Sequence, residues 1–191
     1  MRFSQAISEG DGISLIVDVA DADAARAAAQ QGAEAVSVNV AISGLRDAIE
    51  LPILWRGPGR PADASAAGAD AWIVPVSDGD EDGHLLAAEH AEVVELGLDC
   101  VVEVHNEEEL ALALERLDPE IILFRVGSDG ADPLQLALDL LPDVPAGKLA
   151  VAEVAVSDRG QVDELERAGV DAVIVGARSV AGLAGDAIPE V

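Results

Sequence analysis

Apolar residues in this chain fall into short, almost unbroken runs, separated by longer stretches where alanine and leucine recur at helical spacing. The runs ISLIVDV (13–19), AVSVNV (35–40), PILWR (52–56) and AWIVPV (71–76) predict four strands, with Pro75 making the end of the last one irregular. Between and after them, DADAARAAAQQG (21–32), SGLRDAIE (43–50), ADASAAGA (62–69) and HLLAAEHAEVVELG (84–97) predict helices. The first has an aspartate near its start and Gly32 at its end. The second half repeats the rhythm. CVVEV (100–104), IILFRV (121–126), LAVAEVAV (149–156) and AVIVG (172–176) read as strands. EEELALALERLD (107–118), PLQLALDLLP (133–142), DRGQVDELERAG (158–169) and SVAGLAGDAI (179–188) read as the helices that follow them. Asn106 is placed to cap the helix from 107, whose three leading glutamates suit its positive end.

Strands this apolar on both faces belong to a parallel sheet covered by helices. Eight such units predict an α/β fold, a compact (β/α)8 TIM barrel formed by one domain over 1–191. A doubly wound open sheet is the alternative, but the first strand runs into IVDVADAD without a G-x-G-x-x-G turn. Three helix-to-strand junctions, QQGAEAVSV, AAGADAWIV and RAGVDAVIV, share one plan. A glycine ends the helix, an acid sits in the short loop, and an apolar strand begins.

Composition narrows the field. Half of the 191 residues are hydrophobic and mean hydropathy is +0.29, enough for a substantial core. No apolar run reaches the roughly 18 residues of a membrane span. The start, MRFSQAISEGDG, lacks the basic-then-apolar order of a secretory signal. A single cysteine, Cys100, cannot form an intrachain disulfide, so a reducing, cytoplasmic location is expected. With 37 acids against 11 bases the net charge is −26, which repels nucleic-acid phosphates and anionic lipid. Neither nucleic acid nor a membrane is an expected partner. Phe3, Trp55, Trp72 and Phe124 are the only aromatic residues and make no base-stacking platform. Work in high salt and a GC-rich codon bias both account for the acidity. His84, His90 and His105 are scattered, so neither a metal site nor a cofactor is expected.

In such a barrel the reactive face is the C-terminal end of the strands. The polar residues expected there are Asp18, Asn39, Arg56, Glu103, Arg125, Glu153 and Arg178. Two acids in one mouth can hold different protonation states and so support general acid and base chemistry. Gly176, Arg178 and Ser179, with the start of the last short helix, form an expected phosphate site. Each acid also has a plainer reading, as the partner of an arginine on a neighbouring strand. VGARSVAGLAG reads equally as a glycine turn with a surface arginine.

GLDCVVEVHNEEELALAL resembles the strand-five segment of indole-3-glycerol phosphate synthases, V-E-V-H-[DN]-E-x-E-L. LPILWR is similar to the strand-three segment that precedes that family's catalytic lysine. LAVAEVAV is similar to strand seven, L-V-S-E-S-G-I, and AGVDAVIVGARSV to strand eight, A-G-x-x-A-x-L-V-G-E-S. The resemblance implies a carboxy-lyase that closes the indole ring in tryptophan synthesis, acting on a carboxyphenylamino-deoxyribulose phosphate. It places Glu103 and Glu153 at the family's acid–base glutamates and Arg56 at the lysine general acid. It places Asp18 and Ala20 on the strand-one E-x-K pattern, and the phosphate at strands seven and eight. The chain departs from the family at several of these places. Arginine keeps the lysine's charge but yields its proton far less readily. Arg125 and Gly127 stand in the N-N-R pattern, Val154 and Ala155 replace S-G, and Ala177 and Arg178 replace E-S. The family's N-terminal extension and long loop after strand two have no counterpart.

Three readings follow: a synthase of this family, a divergent barrel enzyme on another small phosphorylated or carboxylated metabolite, and a non-catalytic relative that binds a metabolite or another biosynthetic subunit. A homodimer or a biosynthetic partner subunit are the assembly partners left open.

Overall fold

The computed structural model describes residues 1–9, 12–76, 80, 83–125, 133–156, 158–177 and 183. Eight parallel strands close into a barrel in sequence order: β1 (Ser14–Asp18), β2 (Ala35–Val38), β3 (Ile53–Trp55), β4 (Ala71–Pro75), β5 (Asp99–Val104), β6 (Ile121–Phe124), β7 (Leu149–Ala152) and β8 (Ala172–Gly176). Closure is the pairing of β1 with β8, from Ser14 opposite Ala172 to Asp18 opposite Gly176. The open doubly wound sheet is thereby excluded. Helices α2 (Ala22–Gln30), α3 (Leu45–Ala48), α4 (Pro61–Ala66), α5 (His84–Glu95), α6 (Glu107–Arg116), α7 (Pro133–Leu140) and α8 (Arg159–Ala168) connect them. Strand seven ends four residues earlier than the apolar run predicts, at Ala152, and the helix predicted over 179–188 falls almost wholly outside the described residues.

The apolar runs conceal an alternation of period two. Ile16, Leu54, Ile73, Val101, Leu123, Val151 and Ile174 form one buried cluster that includes no residue of α2 to α8, so they fill the barrel's interior. The residues between them, among them Val17, Trp55, Val102, Phe124 and Val173, pack with the helices in the outer cluster. One helix was not legible in the sequence: α1 (Phe3–Ser8) contributes Phe3 and Ile7 to the inner cluster and contacts β1, β2 and β7. It plugs the end of the barrel from which the strands start. Asp99, the first residue of β5, holds it there by accepting from the Ser4 backbone N–H at 2.8 Å and pairing with Arg2.

The repeated junction plan has a physical role at that same end. Gly32, Gly68 and Gly169 all have φ near +90 to +100°, a left-handed turn that only glycine enters without strain. The acid that follows then staples two strands. Glu34 accepts from the Leu15 N–H, Asp70 from the Ile53 N–H and Asp171 from the Ala150 N–H, at 2.8, 2.8 and 2.7 Å. Each acid's own backbone N–H returns a bond to the carbonyl of the same residue. Helix starts are capped as the sequence implies: Asp21 accepts from Ala24, and Asn106 from Glu109.

Candidate active site at the barrel mouth

Side-chain parity along each strand carries the chemistry to one end. In β5 the inward positions are Asp99, Val101 and Glu103, so one acid anchors the plug and the other reaches the mouth. The same step of two brings Asp18, Arg56, Arg125 and Glu153 to the mouth, the last three just beyond their strands. Their backbone N–H groups continue the ladder: Arg56 to Val38, Arg125 to Val104 and Glu153 to Phe124.

The loop after β3 is tightly fixed. Trp55 stacks on Trp72 with ring centroids 6.4 Å apart, and its indole N–H donates to the Gly57 carbonyl at 2.9 Å. A Cβ on Gly57 would sit 1.7 Å from the Asn39 carbonyl oxygen, so any other residue would push this loop off β2. Arg56 is therefore carried inward on a rigid support, and its side chain is only 6% exposed.

The mouth side chains form one chain of alternating charge. Asp18 lies 3.9 Å from Arg56, which pairs through Nη2 with Glu153 Oε1. Arg125 Nε lies 3.2 Å from Glu153 Oε2, an ion pair out of hydrogen-bonding alignment. Arg125 Nη1 donates to Glu103 Oε2 at 3.2 Å. Glu103 Oε1 then meets His105 Nε2 at 3.3 Å, and His105 Nδ1 meets Glu109 Oε2 at 2.8 Å. Asn39 is exposed at the rim and donates to Asp18 at 3.4 Å, while Ser37 donates to the same oxygen at 3.1 Å. Among the described residues, nothing lies within 4 Å of where a Cβ on Gly176, at the end of β8, would sit. Arg178 and Ser179 lie outside the described residues.

The ion-pair reading of the polar strand ends is seen directly, and three of the residues also line a cavity. The acids pair with arginines from other strands, and Arg56, Glu103 and Arg125 line a cavity of about 290 Å³ with Gly57, Ile73 and Glu89, while Asp18 and Glu153 lie outside its lining. A larger cavity, about 370 Å³, opens at the opposite end beside Arg2, His90, Asp99 and Cys100. There Asp99 is already committed to α1, and burial pushes the Cys100 thiol up to about 12, so it offers no thiolate near neutrality. The mouth has the stronger case, for position and for chemistry.

Arg56 carries a further clue. Its Nε is buried and has no hydrogen-bond partner among the described residues. A buried, charged donor left unpaired is costly, so this N–H suits an oxygen brought in by a ligand. Among the described residues no three His, Cys, Asp or Glu side chains converge as metal ligands, and no helix is long and apolar enough to cross a membrane. His105 and Glu109 were not singled out in the sequence. The signal available was the N-x-x-E spacing of Asn106 and Glu109, a capping box that draws His105 against Glu109.

Comparison with known proteins bears on the family and the fold. The family profile described as Indole-3-glycerol phosphate synthase matches residues 61–182, more than half of the chain. Glu103, Arg125 and Glu153 lie inside the matched region; Asp18 and Arg56 precede it. Among solved structures, N-acetylmannosamine-6-phosphate 2-epimerase from Clostridium perfringens superposes with a TM-score of 0.75 at 13% identity, covering 95% of this chain and 91% of that one. Thiamine phosphate pyrophosphorylase from Pyrococcus furiosus gives 0.63 at 16% identity, covering 90% of each chain. GGGPS from Thermoplasma volcanium gives 0.65 at 12% identity, covering 96% and 94%. At these identities the likeness is one of fold.

Proposed function

This chain belongs to the indole-3-glycerol phosphate synthase family, and from that premise we propose that its barrel mouth is an acid–base site for a small phosphorylated or carboxylated metabolite. Glu103 is the proton-moving group. Arg56 and Arg125 hold the acids in place and offer their free N–H groups to the substrate's anionic oxygens. Gly176, Arg178 and Ser179 receive the phosphate, beside a strand end where backbone can approach closely.

The observation that carries this reading is the alternating chain from Asp18 to Glu109. It supports a site in which charges are preorganised and the buried Glu103 carboxyl faces the cavity. It also argues against simple transfer of the family's reaction. Arg56 stands at the lysine general-acid position but is ion-paired to Glu153 and Asp18. A guanidinium so held stabilises developing negative charge and does not give up a proton. Two fold neighbours are named for phosphorylated compounds, which fits a phosphate subsite on this scaffold.

The second reading is ring closure on the family's own substrate. Its support is that Glu103 and Glu153 occupy the matching strand-five and strand-seven positions and share Arg125 between them. One experiment separates the two. The purified protein is assayed for indole-3-glycerol phosphate formed from the carboxyphenylamino-deoxyribulose phosphate, beside a thermal-shift screen of sugar phosphates and small carboxylates. Product formation that Glu103→Gln lowers by about 10²- to 10⁴-fold, the contribution of a general acid or base, supports ring closure. No product, with a melt shift from another phosphate or carboxylate, supports the wider reading. Neither product nor shift rejects both.

A further inference from the structure

Glu103 is buried, but the ring beside it is not: their side chains are 7% and 38% exposed. That difference matters for a group meant to exchange protons repeatedly. Glu103 meets solvent only through the cavity it lines, which a bound ligand would fill, while the His105 imidazole, whose Nε2 lies 3.3 Å from Glu103 Oε1, keeps its own exposure.

The ring is held on its other side by Glu109, and Glu109 is fixed in turn. Its Oε2 accepts from the His105 backbone N–H at 2.8 Å as well as facing Nδ1. Its Oε1 accepts from Asn106 Nδ2 at 2.8 Å, and its own N–H donates to Asn106 Oδ1 at 2.9 Å. A carboxylate locked into a helix cap makes Nδ1 the donor nitrogen. Nε2 is then left on the Glu103 side, 3.3 Å from Oε1 but out of hydrogen-bonding alignment, so a proton crosses this contact only as the ring turns into line. Imidazolium against carboxylate and neutral imidazole against carboxylic acid differ only in which side of this contact the proton occupies.

The remaining neighbours do not break the relay. From just past β6, Arg125 Nη1 donates to Glu103 Oε2 at 3.2 Å and more weakly to Oε1 at 3.5 Å, and Glu153 lies beyond Arg125. From β4, the residue paired with Glu103 is Pro75, which carries no charge. Among the described residues, the groups acting on the His105–Glu103 contact are Glu109, Arg125 and, more remotely, Glu153 and the two other charged residues of the cavity lining, Arg56 and Glu89.

Resting on the acid–base reading above, we propose that His105 is a positioning residue that carries protons from solvent to Glu103, with Glu109 holding the ring in the tautomer that can do so. In the step, the Nε2–H bond of the imidazolium breaks and an O–H bond forms at Glu103 Oε1. The ring loses its positive charge, the carboxylate loses its negative one, and the Nε2 lone pair left behind takes its next proton from water when the ring turns that nitrogen outward. Only a proton moves, so no oxidant, reductant or co-reactant is required.

The test is a ¹³C-carboxyl NMR titration of Glu103 in the full chain, in the unaltered protein and in His105→Asn. A proton shared with the ring gives Glu103 two titration steps, of which one disappears in His105→Asn. Identical Glu103 titrations in the two proteins overturn the proposal. If His105→Asn folds poorly by circular dichroism, the ring ¹⁵N spectrum of the unaltered protein decides. A neutral ring protonated at Nδ1 supports the relay, and one protonated at Nε2 overturns it. Neither readout needs a substrate, so failure here is distinct from failure of the acid–base reading, which the Glu103→Gln turnover assay addresses.

Discussion

Replacing Arg56 by methionine removes the guanidinium while keeping much of the side chain's bulk, and it tests whether the mouth is a desolvated charge network. The Arg56 side chain is 6% exposed and its partners Glu153 and Asp18 are 25% and 40% exposed. Removing one member of a buried pair strands the other and costs roughly 3–5 kcal/mol. Here Glu153 keeps Arg125 nearby and Asp18 keeps Ser37 and partial hydration, so the lower end applies, about 3 kcal/mol. For a chain of this length that is a fall in Tm of about 6–12 °C. Urea denaturation of Arg56→Met, Glu153→Gln and the double variant, at constant salt, completes a double-mutant cycle. Glu153→Gln alone is expected to cost about 2 kcal/mol, and the double variant about 1–2 kcal/mol less than the sum, because neither charge is then left stranded. A loss under about 1 kcal/mol for Arg56→Met, or additivity within about 0.5 kcal/mol, would refute the reasoning, since both mark a solvated pair.

Three further outcomes follow from the same structure. Phe3→Ala removes a fully buried side chain of the plug and is expected to lower urea stability by about 3–5 kcal/mol; a loss below about 1 kcal/mol would show that α1 does not seal the barrel. Burial raises the Glu34 carboxyl above its ordinary value despite its bond to Leu15. The folded state then holds that proton more tightly than the unfolded state, so ionised Glu34 costs stability above the raised value and the cost fades as pH falls through it. Glu34→Gln should accordingly gain most over the unaltered protein at neutral pH and lose that advantage in acid, and a pH-independent difference between urea midpoints would contradict this. Finally, a net charge of −26 repels itself, so Tm should rise from dilute buffer to molar potassium chloride, where screening is nearly complete. Equal melting temperatures would contradict it.

Much of this architecture was legible in the sequence, for definite reasons. The glycine–acid–strand phrase around Glu34, Asp70 and Asp171 marked three units in advance, because a left-handed turn needs glycine and the orphan N–H of a neighbouring strand needs an acceptor. Asp18, Arg56, Glu103, Arg125 and Glu153 stood out because a charge at the end of an apolar strand has only the mouth to occupy. What escaped was whatever depends on pairing across distance or on short elements. FSQAIS is too short to announce a helix, and its stability comes from Phe3 and Ile7 entering the barrel, which local propensity does not encode. Arg56 and Glu153 are 97 positions apart, and only barrel closure brings them together. His105 read as an isolated histidine until the cap at Asn106 and Glu109 turned it toward Glu103.

The central claim, that the mouth binds an anionic metabolite through its arginines, is tested most directly by calorimetric titration of sugar phosphates and small carboxylates into the unaltered protein. Arg125→Ala serves as the probe, and Arg26→Ala on the outer helix α2 serves as control. The account predicts that at least one compound binds, that Arg125→Ala weakens it about tenfold or more, the worth of a charge-assisted hydrogen bond, and that Arg26→Ala leaves it unchanged. A compound that binds the unaltered protein and Arg125→Ala equally well would place its site elsewhere and contradict the account.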